Sequence, residues 1–469
     1  MEQKKINVIH YVVVVAFVFL FRFVPGVAGI TSLGMGILGS FIGAIYGWIT
    51  IGMFWPSIIA LAGIGLSVGM NQMLAAGFGN LVFFGLVFCV PLINVCSDTG
   101  TFNWIINKVL TSKAMQGKGF LTVWVLFILS YVLGFTNPII MALVICSFVT
   151  TICKQVGIEK NEKFPVYVYL GIAFASMLGQ VLLPFVGTGL TLVMAYNAMF
   201  PDFPLDFMSY LVFMLPMGIV LITIYTLLCK FVFRVDVSKL SNFKTEGTVA
   251  PLNRDQKIAL GIFLAFIILL VIASLPLGGI SAFMAKFGMA GVALILLGIL
   301  DLVKKEDGTR LFHVEKSLTT VPWGLVLMMA FIMVIATYMN TEETGIASGM
   351  AALLTPFTTL PPLVFIIVAL VFAAIMTNFA NNMIIIILVM PFMFNFASTI
   401  GLAPTGMICL LFIMAQFALA TPAASPITAV AMGQEMADAT VMTKAALKVV
   451  PIMFVIGLCL GWPFVSLLF

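Results

Sequence analysis

The sequence predicts an all-α integral membrane protein with about eleven transmembrane helices and two re-entrant hairpins, arranged as an inverted-topology repeat. Three observations support this prediction. Hydrophobic residues make up 62% of the chain and charged residues 8%, with a mean hydropathy of +1.22, as in chains of repeated apolar spans. Polar or helix-breaking residues interrupt four long apolar stretches. Lysine and arginine cluster in a few connections, which predicts the side of the membrane that each connection faces.

The uninterrupted apolar stretches are long enough to cross a bilayer as single helices. The first has the basic start of a signal peptide, but many spans follow it, so we interpret it as a first helix with Lys4 and Lys5 inside. The predicted spans are residues 8–24, 34–52, 53–70, 80–96, 205–233, 257–275, 283–301, 320–340 and 445–469.

Two apolar stretches contain a Thr-Asn pair near the middle. Residues 119–153 contain Thr136-Asn137-Pro138, and residues 357–399 contain Thr377-Asn378. Each stretch is too long for one ordinary span, and proline cannot continue a helical hydrogen-bond ladder. We therefore predict hairpins with tips at 136–138 and near 377–382. A kinked single helix, with asparagine packed against a neighbouring helix, is the alternative.

Two further stretches contain Gly or Pro breaks. Residues 164–200 include Gly187-Thr188, and residues 402–433 include Ala420-Thr421-Pro422. Polar, irregular backbone at membrane depth is costly unless it lines a cavity inside the protein. Interrupted segments at matching places in two halves point to the binding site of a secondary transporter.

The basic residues predict that the two hairpins enter from opposite sides. Lysines flank the first hairpin, so its ends are expected to face the cytoplasm, whereas no Lys or Arg lies between Lys316 and Lys444 around the second. The N-terminus is then cytoplasmic and the C-terminus outside. The predicted units are an N-terminal helix (1–33), a first repeat (34–233), a cytoplasmic linker (234–256) and a second repeat (257–469).

The predicted tips and breaks contain no Lys, Arg, His, Asp or Glu. Binding there depends on amides, hydroxyls and backbone, which argues against an enzyme and against a proton relay of carboxylates. Unwound carbonyls suit Na⁺ and helix N-termini suit anions. The seven cysteines and two histidines show no transition-metal ligand spacing. The net charge of +5 is attributed to cytoplasmic basic residues rather than to nucleic-acid binding.

These motifs resemble the divalent anion:sodium symporter family of dicarboxylate, citrate and sulfate transporters, within the ion transporter superfamily. That family has a Ser-Asn-Thr motif at each of two opposed hairpin tips, similar here to Thr136-Asn137-Pro138 and Thr377-Asn378-Phe379. Its broken helices contain Gly-Thr-Pro-Pro or Ala-Thr-Pro-Pro sequences, similar in part to Gly187-Thr188 and Ala420-Thr421-Pro422. Pro138 and Phe379 replace the motif threonines.

The resemblance implies a scaffold and an elevator-type transport domain, in a homodimer in the bacterial inner membrane. It places a small anionic substrate between the tips and one Na⁺ beside each pair of tip and break. The implied substrate-binding residues are Thr136, Asn137, Pro138, Thr377, Asn378 and Phe379. The implied sodium-binding residues are Thr136, Asn137, Gly187, Thr188, Thr377, Asn378, Asn381, Ala420 and Thr421.

Taken together, these features predict a Na⁺-coupled symporter of a small organic anion, with a di- or tricarboxylate as the expected substrate and no organic cofactor. A Na⁺-independent anion exchanger of the same fold is the first alternative. A cation/proton antiporter is the second, and it would need a membrane carboxylate. Asp98 is the nearest candidate, with Glu435 and Asp438 beyond the second break.

Overall fold

A computed structural model describes most of the chain: residues 8–27, 29–79, 81–110, 118–242, 250–274, 278–305, 308–339, 341–354, 361–399, 404–422 and 424–469. Some sequence predictions fall outside these residues. They are the lysines before the first span, Lys113, the middle of the cytoplasmic linker, and the start of the second predicted hairpin.

The described residues form helices, two short 3₁₀ turns and one isolated β-bridge between Lys304 and Arg310, so the all-α prediction is confirmed. The helices are α1 (Val8–Leu20), α2 (Ser32–Thr50), α3 (Phe54–Val68), α4 (Met70–Phe78), α5 (Leu81–Asp98), α6 (Thr101–Leu110), α7 (Gly119–Leu133), α8 (Pro138–Val156), α9 (Lys163–Gln180), α10 (Gly187–Met199), α11 (Phe207–Phe231), α12 (Arg254–Ser274), α13 (Gly279–Leu302), α14 (Val314–Leu318), α15 (Trp323–Met339), α16 (Ile346–Leu354), α17 (Pro362–Met376), α18 (Asn382–Thr399), α19 (Pro404–Met414), α20 (Pro426–Met432) and α21 (Ala439–Leu468).

Among the described helices, five are long and apolar enough to cross a membrane, or six if α4 and α5 form one bent span. The five are α2, α8, α11, α12 and α21. Seven further apolar helices among the described residues have 10–17 residues, α7, α17 and α19 among them. Helices this short cross a bilayer only in combination with a partner, so the number of about eleven spans stays a prediction.

Two elements differ from the sequence prediction. Residues 70–78 form the separate helix α4, which lies between the predicted spans 53–70 and 80–96. The stretch predicted as one span at 283–301 is α13, in which Gly288 has φ 62° and ψ 176°. A glycine can adopt this conformation without a Cβ clash, so the helix bends there.

Each of the four interrupted stretches is a pair of helices separated by a short break. The breaks follow α7, α9, α17 and α19. Local chemistry explains where the next helix begins. Asn137 caps α8 by accepting from the Ile140 N–H at 3.1 Å, and Pro138 is its first residue. Ser425 caps α20 in the same way, and Pro426 follows it.

The first arms of the two broken helices, α9 and α19, lie in the core. Residues 164–179 of α9 are buried, and so is almost every residue of α19. Helix α9 packs against α7, α8, α11, α20 and α21, whereas α19 packs against α17, α18, α11 and α21. Both helices are thus enclosed by other helices of the protein on most sides. The breaks at the ends of these helices are therefore held inside the protein.

Glycines allow the first predicted hairpin to approach α9 closely. A Cβ added to Gly134 would lie 2.8 Å from the Ser176 carbonyl oxygen and 3.0 Å from the Gly179 Cα. Side chains larger than hydrogen do not fit at this distance. The break after α7 thus rests directly on the backbone of α9.

Candidate functional site

The four helix breaks meet at one cavity of about 170 Å³. The tips of both predicted hairpins, the end of α9 and the starts of α10 and α20 all contribute to its wall. Its lining residues are Pro138, Ile139, Gln180, Thr188, Asn381, Asn382, Met383, Ala424, Ser425, Pro426 and Ile427. Segments far apart in the sequence therefore form a single site.

Three of the longer helices begin at this cavity. Pro138 is the first residue of α8, Thr188 is the second of α10 and Asn382 is the first of α18. The first N–H groups of a helix lack intrahelical partners and carry a partial positive charge, so each of these ends favours an anion. Three such ends lie at one cavity, although the Ile140 and Met383 N–H groups already donate to the Asn137 and Asn381 side chains.

Among the lining residues that the structure describes, none is ionisable. The polar side chains are Gln180, Thr188, Asn381, Asn382 and Ser425. The Ser425 Oγ accepts from the Ile427 and Thr428 N–H groups, so its own hydroxyl hydrogen remains available as a donor. The cavity therefore offers neutral donors to an anion, together with amide oxygens as acceptors.

Three amides join the two halves of the chain beside the cavity. The Gln416 Oε1 accepts hydrogen bonds from Gln180 Nε2 at 2.7 Å and from Asn382 Nδ2 at 3.2 Å. The Gln416 Nε2 donates to the Phe412 carbonyl oxygen at 2.9 Å. Asn382 is only 7% exposed, and its Oδ1 is buried with no hydrogen-bond partner among the described residues. This network fixes the orientation of every amide in it.

The first tip is in contact with the first break through backbone. A Cβ on Gly187, whose φ is 54°, would lie 3.5 Å from the Phe135 carbonyl oxygen. The Thr136 hydroxyl donates to the Leu133 carbonyl at 2.7 Å, and Asn137 is exposed and caps α8. Of the predicted residues here, Pro138 and Thr188 line the cavity directly.

The second tip is bound to the second break by side chains. Asn378 is buried, and its Oδ1 accepts from the Ala420 N–H at 2.8 Å, while the Thr421 hydroxyl donates to the Asn378 carbonyl at 3.1 Å. The Asn378 Nδ2 and the buried Thr377 hydroxyl both donate to the Ala374 carbonyl. The structure thus brings together the tip and break residues that were predicted to share a sodium site.

Several predicted site residues face a second cavity. Asn378, Phe379, Ala420 and Thr421 line an apolar space of about 500 Å³ against α17 and α21. Phe379 is 70% exposed, so it does not close over the four-break cavity. Asn381, in contrast, lines the four-break cavity and directly precedes α18, where its Oδ1 accepts from the Met383 N–H at 3.0 Å.

Sequence reasoning did not assign Gln180, Asn382, Gln416 or Ser425 to the site. Each is a polar residue beside or within the break of an interrupted apolar stretch, which was the available signal. The two glutamines also occupy similar places, since Gln180 ends α9 and Gln416 follows the end of α19 at Met414.

The carboxylates considered for an antiporter lie away from the cavity lining. Asp98 is exposed at the end of α5. Glu435 forms an ion pair with Lys154, and Asp438 forms one with Lys160 at 2.6 Å. The partner lysines hold the pKa of both carboxyls below its ordinary value. Within the described part of the chain, no group of three His, Cys, Asp or Glu residues is placed to hold a metal ion.

Comparisons with known proteins agree on a transporter. The family model described as CitMHS, citrate transporter, matches residues 8–415. Among solved structures, the crystal structure of the Alcanivorax borkumensis YdaH transporter, described as having an unusual topology, is similar in fold. The TM-score is 0.58 at 14% identity, covering 86% of this chain and 89% of that one. No match was found among proteins of curated function.

Proposed function

Because the chain belongs to the citrate transporter family, we propose that it is a secondary active transporter that binds a small di- or tricarboxylate at the four-break cavity. The convergence of three helix N-termini on a cavity with uncharged walls is the observation on which this proposal rests. Backbone N–H groups at helix starts stabilise carboxylates without a lysine or arginine. A neutral wall also lets the anion leave, as transport requires.

Na⁺ is the proposed coupling ion. The second tip and break present the Asn378 Oδ1 and carbonyl oxygen next to the Thr421 hydroxyl. Each carbonyl oxygen has two lone pairs, and only one is used by the hydrogen bond it accepts here. Na⁺ at this position, and a second near Thr136, Asn137, Gly187 and Thr188, would partly neutralise the carboxylate charge.

The proposed mechanism is an elevator-type movement in a homodimer. The close contact of Gly134 with Gly179 supports it, because the first predicted hairpin and α9 then move as one body. The network centred on Gln416 extends this body to α18 and the second break. Light scattering of the purified protein in detergent would report the dimer.

Uptake into proteoliposomes tests both cargo and coupling. We expect labelled citrate to accumulate with an inward Na⁺ gradient and not with choline in place of Na⁺. Counterflow that persists without Na⁺ would favour the exchanger, and uptake driven by a pH gradient alone would assign proton coupling. Failure to transport citrate and dicarboxylates under all of these conditions would contradict the proposed cargo.

Thr188→Val tests the location of the site. The substitution removes a hydroxyl from the cavity wall at nearly constant volume, and we expect KM for the carboxylate to rise by about tenfold. Thr405→Val is the matched control, because the Thr405 hydroxyl contacts the Tyr196 hydroxyl at 3.3 Å and is not among the cavity-lining residues. Equal effects of the two substitutions would argue against this cavity.

A further inference from the structure

The amide oxygen of Asn382 is a buried acceptor in the amide network to which no described residue donates. Asn382 lines the four-break cavity, and only 7% of the residue is exposed. Its Oδ1 is buried and unpartnered among the described residues. A buried acceptor without a donor is costly, so native structures rarely keep one unless a ligand supplies the donor.

The orientation of this amide is determined by its neighbours. Gln416 Nε2 donates to the Phe412 carbonyl, so Gln416 Oε1 must face Gln180 and Asn382 as an acceptor. Asn382 must then present its Nδ2 to Gln416 at 3.2 Å. Reversing the Asn382 amide would bring two oxygens together. Its Oδ1 is therefore fixed as an acceptor on a residue that lines the cavity.

A carboxylate alone cannot satisfy this oxygen. The starts of α8, α10 and α18 supply donors to the carboxylate groups, but an ionised carboxylate has only acceptors to offer Asn382. A hydroxyl group on the same ligand would donate to Asn382 Oδ1 while its carboxylates accept from the helix starts. The donors and acceptors of the site then match those of a hydroxycarboxylate.

We propose that Asn382 recognises the hydroxyl group of the transported carboxylate, so that the protein selects hydroxylated over non-hydroxylated substrates of equal charge. Gln416 and Gln180 act as positioning residues that hold the Asn382 amide in this orientation. The proposal rests on the proposed carboxylate transport. It adds Asn382 as the residue that determines selectivity and the hydroxyl group as the part of the substrate that Asn382 binds.

Citrate and tricarballylate test this in the wild-type protein, because tricarballylate has the same three carboxyl groups and lacks the hydroxyl. We expect kcat/KM for citrate to exceed that for tricarballylate by about tenfold or more, since the analogue leaves Asn382 Oδ1 unpaired. A protonated carboxyl or a coupling cation would serve Asn382 equally with either substrate. A ratio near one would therefore overturn the proposal.

Asn382→Leu removes the acceptor, and Gln416 Oε1 keeps its bond from Gln180. We expect the citrate to tricarballylate ratio to fall to about one, mainly through slower citrate transport. If Asn382 has only a structural role, the substitution should slow the transport of both substrates and leave the citrate to tricarballylate ratio unchanged. That result would contradict the proposal. Asn382→Ser is the second variant if the leucine protein does not fold.

Asn395→Leu is the matched control, an asparagine in the same helix that donates to the Pro391 carbonyl at 2.8 Å. It should keep the wild-type ratio. If neither the tricarboxylates nor the dicarboxylates are transported, the proposed function fails; if citrate is transported without preference, only the role of Asn382 fails.

Discussion

Gln180 donates a hydrogen bond to Gln416 over 2.7 Å, although the two residues are 236 positions apart in the chain. The contact joins the end of α9 to the turn that follows α19. Gln180 is the last residue of α9, and Gln416 lies two residues beyond the end of α19. The two broken helices are thus connected at equivalent points, beside the proposed substrate.

Replacing Gln416 with alanine should destabilise the fold. Gln180 Nε2 and Asn382 Nδ2 would both lose their acceptor, at a cost of about 1–3 kcal/mol for each buried group left unpaired. Thermal unfolding in detergent measures this. In a double-mutant cycle with Gln180→Ala, the two effects should be less than additive, because both remove the same bond. Strict additivity would show that the pair is not coupled.

Alanine at Gly179 should separate the first predicted hairpin from α9. The added Cβ would lie 2.9 Å from the Gly134 Cα, and backbone cannot give way as a flexible side chain can. We expect a loss of about 1–3 kcal/mol in unfolding free energy and slower transport. Gly261→Ala is the control, since nothing lies within 4 Å of its added Cβ. That variant should be neutral or slightly stabilised.

The two tip asparagines should respond differently to alanine. Asn378→Ala leaves the Ala420 N–H without its acceptor at the proposed ion site, so we expect Na⁺-dependent transport to be abolished in a folded protein. Asn137→Ala should also abolish transport and should cost about 1 kcal/mol by removing the cap of α8.

Asn137→Ser separates these two roles, because serine also caps helices. Stability should return to the wild-type value while transport remains impaired. Full transport by either alanine variant would contradict the assignment of that tip.

Cysteine labelling tests the predicted orientation. Asp202 and Lys305 are exposed and lie in connections predicted to be outside and cytoplasmic, respectively. In a Cys459→Ala background the remaining native cysteines are buried. A membrane-impermeant maleimide added to whole cells should label the Asp202→Cys variant. It should label the Lys305→Cys variant only after the cells have been permeabilised. The reverse pattern would invert the topology.

Stability should fall in acid through the connections at 157–162 and 433–438. A backbone N–H and Lys239 lower the pKa of Glu162, and Lys160 with Asn161 lowers that of Asp438. A carboxyl with a lowered folded pKa stabilises above its unfolded pKa, and this contribution is lost as pH falls through the folded value. The melting temperature should thus be level near neutrality and decline below about pH 4. Asp438→Asn should reduce this dependence; an unchanged profile would exclude Asp438 as a contributor.

Much of the architecture was predictable from short-range sequence signals. Asn137-Pro138 and Ser425-Pro426 begin helices because capping and proline geometry are local effects. The expected relationship to carboxylate and citrate transporters of the ion transporter superfamily is confirmed by the family match. The inverted repeat, the hairpin topology and the residue roles stay predictions.

The arrangement of the site was less accessible, because it depends on contacts between distant segments. The pairing of Asn378 with Ala420 agrees with the prediction, since both positions were motif residues. Gln180 and Gln416 belong to no recognised motif, and only tertiary packing brings them together. Phe379, in contrast, was predicted to bind substrate because of its motif position, but its exposed side chain lies outside the four-break cavity.

The helix starts at the cavity bear on how substrate affinity should depend on pH. Peptide N–H groups do not titrate in the biological range, and none of the described lining residues does. The described lining of the cavity therefore keeps the same charge at every pH a cell encounters. If the proposed carboxylate binds there, a change of its affinity with pH would report the ionisation of its own carboxyl groups. The pKa values of the bound substrate could then be obtained from the pH dependence of KM.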